Sequence, residues 1–370
     1  MSRSAKTARP IKSSKLEEDA EDAEGAGDAE SLENLDDVPE YDEKLPFVER
    51  FRPNTLSKVL SHDAVISTLR SYLTSRRIPH LLLYGPPGTG KTSTIESFLR
   101  ELYGPENYPY MVMNINASEE RGIDVVRGKI KNFVNTKPIH ITDNPDVPVY
   151  KFVILDEADA ITEEAQGMLR IVIEKNTSYA RFCLICNCIK KIDSAIQSRC
   201  KNFKFKPLGY ESVNQKIDEI CRIEGFDVDD GGRQMIWDLS KGDMRKVLHT
   251  LQVISMSYDY IDAQTVSQFL KYPSVESIDK VYASLRNDDL KVAIKTMRSE
   301  KTTYSYSLVD MLAEISNRIA NEIEEADISL EQAIYLQAAM RDIEMNIIST
   351  AETDIQLASV VSAFIVARNM

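Results

Sequence analysis

An octapeptide at residues 85–92 has the residue types and spacing of a phosphate-binding loop: Gly85-Pro86-Pro87-Gly88-Thr89-Gly90-Lys91-Thr92. Its glycines let the backbone turn so that successive N–H groups point at the β- and γ-phosphates of a nucleotide. Lys91 adds a positive charge, and the Thr92 hydroxyl is expected to ligate Mg²⁺. A helix beginning at Lys91 would present its positive dipole end to the same phosphates.

An acidic pair follows an apolar run further along the chain, in Phe152-Val153-Ile154-Leu155-Asp156-Glu157. We expect Asp156 to hold Mg²⁺ through water and Glu157 to orient and polarise the attacking water. Asp159 is expected to cap the next helix. Together with the phosphate-binding loop, the acidic pair predicts hydrolysis of the bound nucleotide.

Three further side chains have types that sense or stabilise phosphate. Asn187 ends an apolar run, where its amide could hold the attacking water. Arg245, in Gly242-Asp243-Met244-Arg245, starts a predicted helix and could reach back onto the nucleotide. Arg199, in Ser198-Arg199-Cys200, follows a short helical segment and has the chemistry of an arginine finger. Taken alone, both arginines also fit an ordinary role on the surface.

The elements that position these residues alternate between strands and helices. Short apolar runs at 80–84, 110–115, 150–155, 181–188 and 203–205 are separated by helical patterns at 63–74, 91–103, 122–134 and 162–175. Such alternation predicts an α/β fold with a parallel sheet covered on both faces. After Pro207 the strand signals stop, and helices are predicted at 212–224, 232–241 and 244–256. From Ser274 only helices are predicted, one starting with a capping box at Ser329 and Gln332.

Length and charge divide the chain further. The 370 residues predict two or three domains, and the net charge of −13 is uneven. Residues 1–44 hold 6 basic and 14 acidic side chains, so we expect a disordered tail there. The chain has no apolar run of membrane-spanning length and no signal-peptide core. Its five cysteines are expected to be reduced thiols, as in the cytosol or nucleus.

These motifs, in this order, resemble the clamp-loader branch of the AAA+ ATPases and, within it, the small subunits of replication factor C. Residues 48–53 (Val-Glu-Arg-Phe-Arg-Pro) look like the family's adenine-side motif, and 116–122 (Asn-Ala-Ser-Glu-Glu-Arg-Gly) like its second-strand motif. The resemblance covers about 45–370. It implies a disordered acidic tail (1–44), an AAA+ P-loop ATPase domain with a parallel sheet (45–206), a helical lid (207–272) and an all-α C-terminal collar (273–370).

The resemblance also implies the partners. The chain would join one large and three other small replication factor C subunits in a nuclear pentamer held together by the collars. ATP would sit at the subunit junctions, where Arg199 would act in trans on the neighbour's ATP. The pentamer would open a ring-shaped sliding clamp and load it onto primer–template DNA during replication and repair. Helix 162–175 matches the region that touches the clamp.

The implied cofactors are ATP and Mg²⁺, with Thr92 and Asp156 at the metal. Catalysis is assigned to Glu157, Lys91, Asn187 and, in trans, Arg199. DNA contacts are expected from Arg121, Arg127 and Lys131, of which the last two are i, i+4 neighbours on a predicted helix. A solvated helix face is the alternative for these three. The implied nucleotide-binding residues are Val48, Arg52, Pro53, Gly85, Pro86, Pro87, Gly88, Thr89, Gly90, Lys91, Thr92, Ser93, Asn187 and Arg245.

Two departures from the family pattern stand out. Glu119-Glu120 replaces the usual Asp-Asp and keeps its charge, whereas Arg170-Ile171 replaces Arg-Arg and loses a basic group near the subunit junction. No role follows from the sequence for the acidic tail or for the loop 138–148.

Several alternatives bear on the same motifs. A two-sheet helicase is excluded because no second set of strands follows Pro207. Two alternatives stay open: a structural subunit that binds ATP but hydrolyses it weakly, and a subunit shared with checkpoint or cohesion clamp loaders. A zinc site is not expected at the clustered cysteines, because successive side chains of a strand point to opposite faces. These cysteines are Cys183, Cys186, Cys188 and Cys200.

Overall fold

A computed structural model of the chain describes residues 44–120, 122, 124, 126–136, 150–325, 328–350 and 354–370. Three sequence predictions lie outside these residues. They are the disorder of the acidic tail up to residue 43, the DNA contact of Arg121, and the loop 138–148.

Five parallel strands form one sheet, which confirms the predicted α/β fold. Their order across the sheet is β2-β3-β4-β1-β5, so β4 lies between the strand that precedes the phosphate-binding loop and the strand that ends in Asp156. The strands are β1 (His80–Tyr84), β2 (Val112–Asn116), β3 (Lys151–Asp156), β4 (Ala180–Cys186) and β5 (Cys200–Lys204).

Helices cover both faces of this sheet, which is why its strands are apolar at successive positions. On one face, Leu81 and Leu83 pack with Phe98 of α3. On the other, Leu82 packs with Leu169 of α5. The helices of this half are α1 (Phe47–Arg50), α2 (Asp63–Ser75), α3 (Lys91–Met111), α4 (Lys131–Asn135), α5 (Glu163–Asn176) and α6 (Ser194–Gln197).

Two elements differ from the sequence prediction for local backbone reasons. The first helical stretch of α3 ends at residue 103, as predicted, because Gly104 has a non-helical conformation (φ 72°, ψ 165°). A second helical stretch follows up to Met111, so β2 starts later than predicted, at Val112. The single helix predicted over 122–134 is instead a π-helical segment, Val126–Ile130, followed by α4. A π-helix has a wider turn than an α-helix, so the i, i+4 spacing of Arg127 and Lys131 does not place them directly above one another.

The second half is helical, but the prediction that strands end at Pro207 is wrong. Two dipeptides, β6 (Asp227–Val228) and β7 (Tyr260–Ile261), pair in parallel and are too short to leave a periodic signal. The helices are α7 (Tyr210–Glu224), α8 (Asp230–Ser240), α9 (Met244–Ser255), α10 (Ala263–Leu270), α11 (Val275–Asn287), α12 (Leu290–Tyr304), α13 (Leu308–Glu325), α14 (Leu330–Ser349) and α15 (Asp354–Arg368).

The last five helices share an apolar core of their own, whose buried residues lie between Ile278 and Ala367. The predicted capping box starts α14. The Gln332 N–H donates to Ser329 Oγ at 3.2 Å, and the Gln332 side chain accepts from the Ser329 N–H at 3.4 Å. Within the described part of the chain, no helix combines the length and apolarity needed to span a bilayer.

A buried histidine at the start of β1 ties the sheet together. His80 is 6% exposed, its Nδ1 accepts the Phe182 N–H at 3.2 Å, and its Nε2 lies 3.4 Å from Thr177 Oγ1. Burial, with a smaller contribution from the Arg181 charge, lowers the pKa of His80 from 6.5 to about 4. The folded chain therefore holds this imidazole neutral at pH values where the unfolded chain protonates it.

We predict that His80 makes the fold acid-sensitive between pH 6.5 and 4. In that window the unfolded chain binds the extra proton, so stability falls as pH falls, by on the order of 3 kcal/mol for this group. The His80→Gln variant keeps an acceptor for the Phe182 N–H but does not titrate. Its melting temperature should decline less steeply with falling pH than that of the wild type. The exposed His249→Gln variant is the control, and equal slopes for wild type and His80→Gln would refute the assignment.

Candidate nucleotide-binding site

The predicted phosphate-binding residues meet at one edge of the sheet. The loop 85–90 leaves the carboxyl end of β1, Asn187 follows β4, and Asp156 ends β3. These three strands are adjacent, so their ends lie side by side. A crevice at the carboxyl ends of parallel strands is the usual ligand site in α/β folds.

Lys91 is held at the centre of this edge. It is 7% exposed, and its Nζ donates to the carbonyls of Gly85 (2.8 Å) and Pro86 (2.7 Å) and to Asn187 Oδ1 (3.1 Å). Burial lowers the pKa of the Lys91 ammonium, and the nearby Asp156 carboxylate opposes that shift. All three donors of the ammonium therefore contact neutral acceptors, which a phosphate oxygen can replace with a stronger, charged partner.

A pair of oxygen atoms lies beside this lysine. The Thr92 hydroxyl donates to Asp156 Oδ2 at 2.8 Å, and the Glu157 N–H donates to Asp156 Oδ1 at 2.9 Å. Hydroxyl and carboxylate oxygens are the donors that Mg²⁺ prefers, so these two side chains fit the predicted metal.

Glu157 has an unusual backbone conformation. Its φ of 53° puts it in the left-handed region, which costs a non-glycine residue on the order of 1–3 kcal/mol and is often found at functional sites. The side chain is exposed and lines the cleft. Asp159, by contrast, does not cap the next helix. Its carboxylate accepts the Cys188 N–H at 3.3 Å, and Thr162 caps α5.

The phosphate-binding loop is in direct contact with the start of α9. The Met244 N–H donates to the Gly88 carbonyl at 3.1 Å, and Asp243 caps the helix by accepting from the Arg245 N–H at 2.9 Å. Gly88 has a φ of 66°, and a Cβ there would lie 1.6 Å from Asp243 Oδ1. This contact places Arg245 on the wall of the cleft.

The opposite wall comes from the segment before β1. Val48, Arg52 and Pro53, which the resemblance assigns to the adenine side, line the cleft. The Arg52 guanidinium is held by Glu96 at 3.1 Å and Glu49 at 3.4 Å. Of the predicted nucleotide contacts, Gly85 and Pro86 do not line the cleft but hold Lys91 through their carbonyls.

Sequence reasoning missed several residues that line the same cleft. Five of them lie inside segments that the sequence analysis singled out but have no phosphate-binding chemistry of their own, and the other six come from segments that no motif marks. Lys216, for example, comes from α7, and its Nζ lies 2.8 Å from Glu219 Oε2. The missed residues are Glu49, Phe51, Lys58, Val59, Leu60, Ile185, Cys186, Leu208, Lys216, Met244 and Leu248.

Arg199 does not line the cleft of its own chain. It lies between α6 and β5, and its guanidinium pairs with Glu174 of α5 at 2.7 Å. The side chain remains 40% exposed. The structure therefore separates Arg199 from the other predicted catalytic residues.

The predicted DNA-binding residues that the structure describes are exposed. Arg127 lies on the surface of the π-helical segment, and Lys131 lies on the surface of α4. Lys129, between them, is paired with Glu120 at 2.7 Å.

The cysteines are free thiols, and among the described residues no group of cysteine, histidine and acidic side chains has the arrangement of a metal site. Cys183 and Cys186 belong to the apolar clusters on opposite faces of the sheet, as the strand period predicted. Burial raises the pKa of Cys186 to about 12, so this thiol is protonated at neutral pH.

Comparison with known sequences agrees with this geometry. The profile of the ATPase family associated with various cellular activities (AAA) matches residues 81–208, and that of the replication factor C C-terminal domain matches residues 273–363. The chain is 40% identical to replication factor C subunit 3 of Schizosaccharomyces pombe, over 87% of this chain and 91% of that protein. It is 39% identical to subunit 5 of Homo sapiens (88% and 93% covered) and 37% identical to subunit 3 of Saccharomyces cerevisiae (87% and 93%). The chain therefore belongs to the replication factor C small-subunit family, and it contains an AAA ATPase domain that includes residues 81–208.

Proposed function

We propose that this chain is an ATP-hydrolysing subunit of a clamp loader, which opens a ring-shaped sliding clamp and loads it onto primer–template DNA in the nucleus. Its companions are one large and three other small replication factor C subunits. The observation that carries the proposal is the meeting of Lys91, Thr92, Asp156 and Asn187 within hydrogen-bond distance at one sheet edge. A subunit that only bound nucleotide would not need the catalytic Glu157 beside them.

The domains follow one another along the chain. Residues 1–44 form the tail, 45–206 the ATPase domain, 207–272 the lid and 273–370 the collar that joins the subunits. The separate apolar core of α11–α15 supports an independent collar. The contact between Met244 and Gly88 supports a lid that responds to the nucleotide, since any movement of the loop reaches α9 directly.

ATP binds with its phosphates on the loop 85–92 and its base between the segment 48–60 and the lid. The Lys91 ammonium exchanges its carbonyl partners for phosphate oxygens, and Arg245 reaches the nucleotide from the lid. Thr92 and Asp156 would hold Mg²⁺, which would neutralise negative charge on the phosphates.

Hydrolysis then needs a positioned water. Glu157 orients and polarises it, and the Asn187 amide holds it or the γ-phosphate. The water oxygen forms a bond to the γ-phosphorus as the bond to the β,γ-bridging oxygen breaks, which yields ADP and phosphate. The Arg199 guanidinium of this chain serves the ATP of a neighbouring subunit, which accounts for its distance from its own cleft.

We predict that Glu157→Gln abolishes most turnover at this site while ATP still binds. The amide cannot accept a proton from water, so the rate should fall at least about 100-fold. The measurement is ATP turnover with clamp and primer–template DNA, in a complex whose other subunits lack their phosphate-loop lysines. Glu106→Gln, an exposed acid of α3 outside the helix expected to touch the clamp, is the control. An unchanged rate would remove Glu157 from this role, and a wild-type rate no higher than background would favour the alternative of a weakly hydrolysing structural subunit.

The trans assignment predicts a different pattern for Arg199→Ala. Nucleotide affinity of this chain should be unchanged, while turnover at one neighbouring site falls by about 10³-fold, the usual contribution of an arginine finger. Complexes with a single hydrolysing site, placed in each companion in turn, identify the affected junction. Loss of nucleotide from this chain itself would contradict action in trans.

The exposed basic side chains of Arg127 and Lys131 should contact the DNA backbone. Replacing either by Gln should weaken primer–template binding by the assembled complex equally for all sequences. The slope of log K against log salt should become shallower by about 1 for each lost contact. Lys129→Gln is the matched control, since Lys129 is already paired with Glu120 and its replacement should change the slope less. Unchanged slopes for Arg127→Gln and Lys131→Gln would identify a solvated helix face.

A further inference from the structure

Two contacts from different elements hold the Arg199 guanidinium. One terminal nitrogen, Nη2, lies 2.7 Å from Glu174 Oε1, and the other, Nη1, donates to the Ala195 carbonyl at 2.6 Å. Ala195 belongs to α6, only four residues before Arg199, whereas Glu174 belongs to α5. The carboxylate is therefore the contact that ties the guanidinium to an element outside its own segment.

This ion pair is poorly explained as a stabiliser of the fold. The Arg199 and Glu174 side chains are 40% and 42% exposed, and exposed ion pairs contribute little to stability because water screens them. What the pair does instead is restrict a long, flexible side chain. An arginine loses much rotamer freedom when it is ordered, and a partner that orders it beforehand removes that cost from the step in which it acts.

The Arg199 guanidinium has N–H groups that neither of these contacts uses. It carries five N–H groups, and the contacts with Glu174 and Ala195 use one on each terminal nitrogen. The remaining N–H groups suffice for phosphate oxygens without breaking either contact. Glu174 and phosphate therefore need not compete for the same donor.

We infer that Glu174 is a positioning residue for Arg199: it holds the guanidinium in the pose from which it stabilises the transition state on the neighbouring subunit's ATP. The inference rests on the proposed action of Arg199 in trans. Glu174 itself touches no reacting atom. Its removal should therefore affect the turnover number of the neighbouring site and leave the binding of ATP there unchanged.

The test uses the assembled complex with only that neighbouring site able to hydrolyse ATP. Glu174→Ala should lower kcat there by about tenfold, because a misplaced catalytic group loses rate, with KM for ATP unchanged. Glu174→Gln should retain most of the rate, because its amide oxygen still accepts from the guanidinium. Glu106→Gln, an exposed acid of α3 outside the helix expected to touch the clamp, is the control and should behave as wild type. Melting temperatures of the complexes verify that each variant is folded.

A double variant separates the possible outcomes. In an Arg199→Ala background, Glu174→Ala should cause no further loss, since there is no guanidinium left to position. Two outcomes would overturn the positioning role alone. One is an additional loss of rate when Glu174→Ala is added to Arg199→Ala. The other is a rate that Arg199→Ala lowers but that Glu174→Ala leaves unchanged or increases. If Arg199→Ala does not lower the rate, both the trans role of Arg199 and the positioning role of Glu174 are wrong.

Discussion

The adjacency of three strand ends is the constraint on which the site depends. Lys91 reaches Asn187 only because β4 lies next to β1, and Thr92 reaches Asp156 because β3 is the following strand. These residues lie far apart in the chain, so no local change of the loop could recreate their contacts. The apolar clusters on both faces of the sheet maintain that order, and they are therefore as necessary for phosphate chemistry as the polar residues themselves.

A second dependence links the sheet edge to the helical half. The loop meets α9 through the Gly88 carbonyl, and α9 supplies Arg245 to the cleft wall. The wall formed by residues 48–53 also contacts the helical half, because the Phe47 N–H donates to Gln252 of α9 at 3.2 Å and Arg50 pairs with Glu224 of α7 at 2.7 Å. The nucleotide site is thus enclosed by two parts of the chain, and a change in either part alters the cleft.

Contiguous motifs made much of this predictable from the sequence. Lys91 with Thr92, and Asp156 with Glu157, are neighbours in the chain whose types and spacing can be recognised without knowledge of distant packing, and the alternating pattern predicted the sheet. What could not be predicted depends on tertiary contacts or on single backbone angles. Lys216 enters the cleft from α7, a second helical stretch after the break at Gly104 delays the start of β2, and the dipeptide strands β6 and β7 carry no periodicity. The partner of Arg199 belongs to the same group, because nothing near Glu174 in the sequence marks it.

The fit between Gly88 and Asp243 limits how this protein can be re-engineered or diverge. The fourth position of the octapeptide is free in the general G-x-x-x-x-G-K-T pattern, yet here even a methyl group would overlap the aspartate at 1.6 Å. A loop transplanted from another P-loop ATPase with a bulkier residue at that position would push the Asp243 side chain out of its cap at the start of α9. Chimeric loaders must therefore exchange the loop and the helix start as one module.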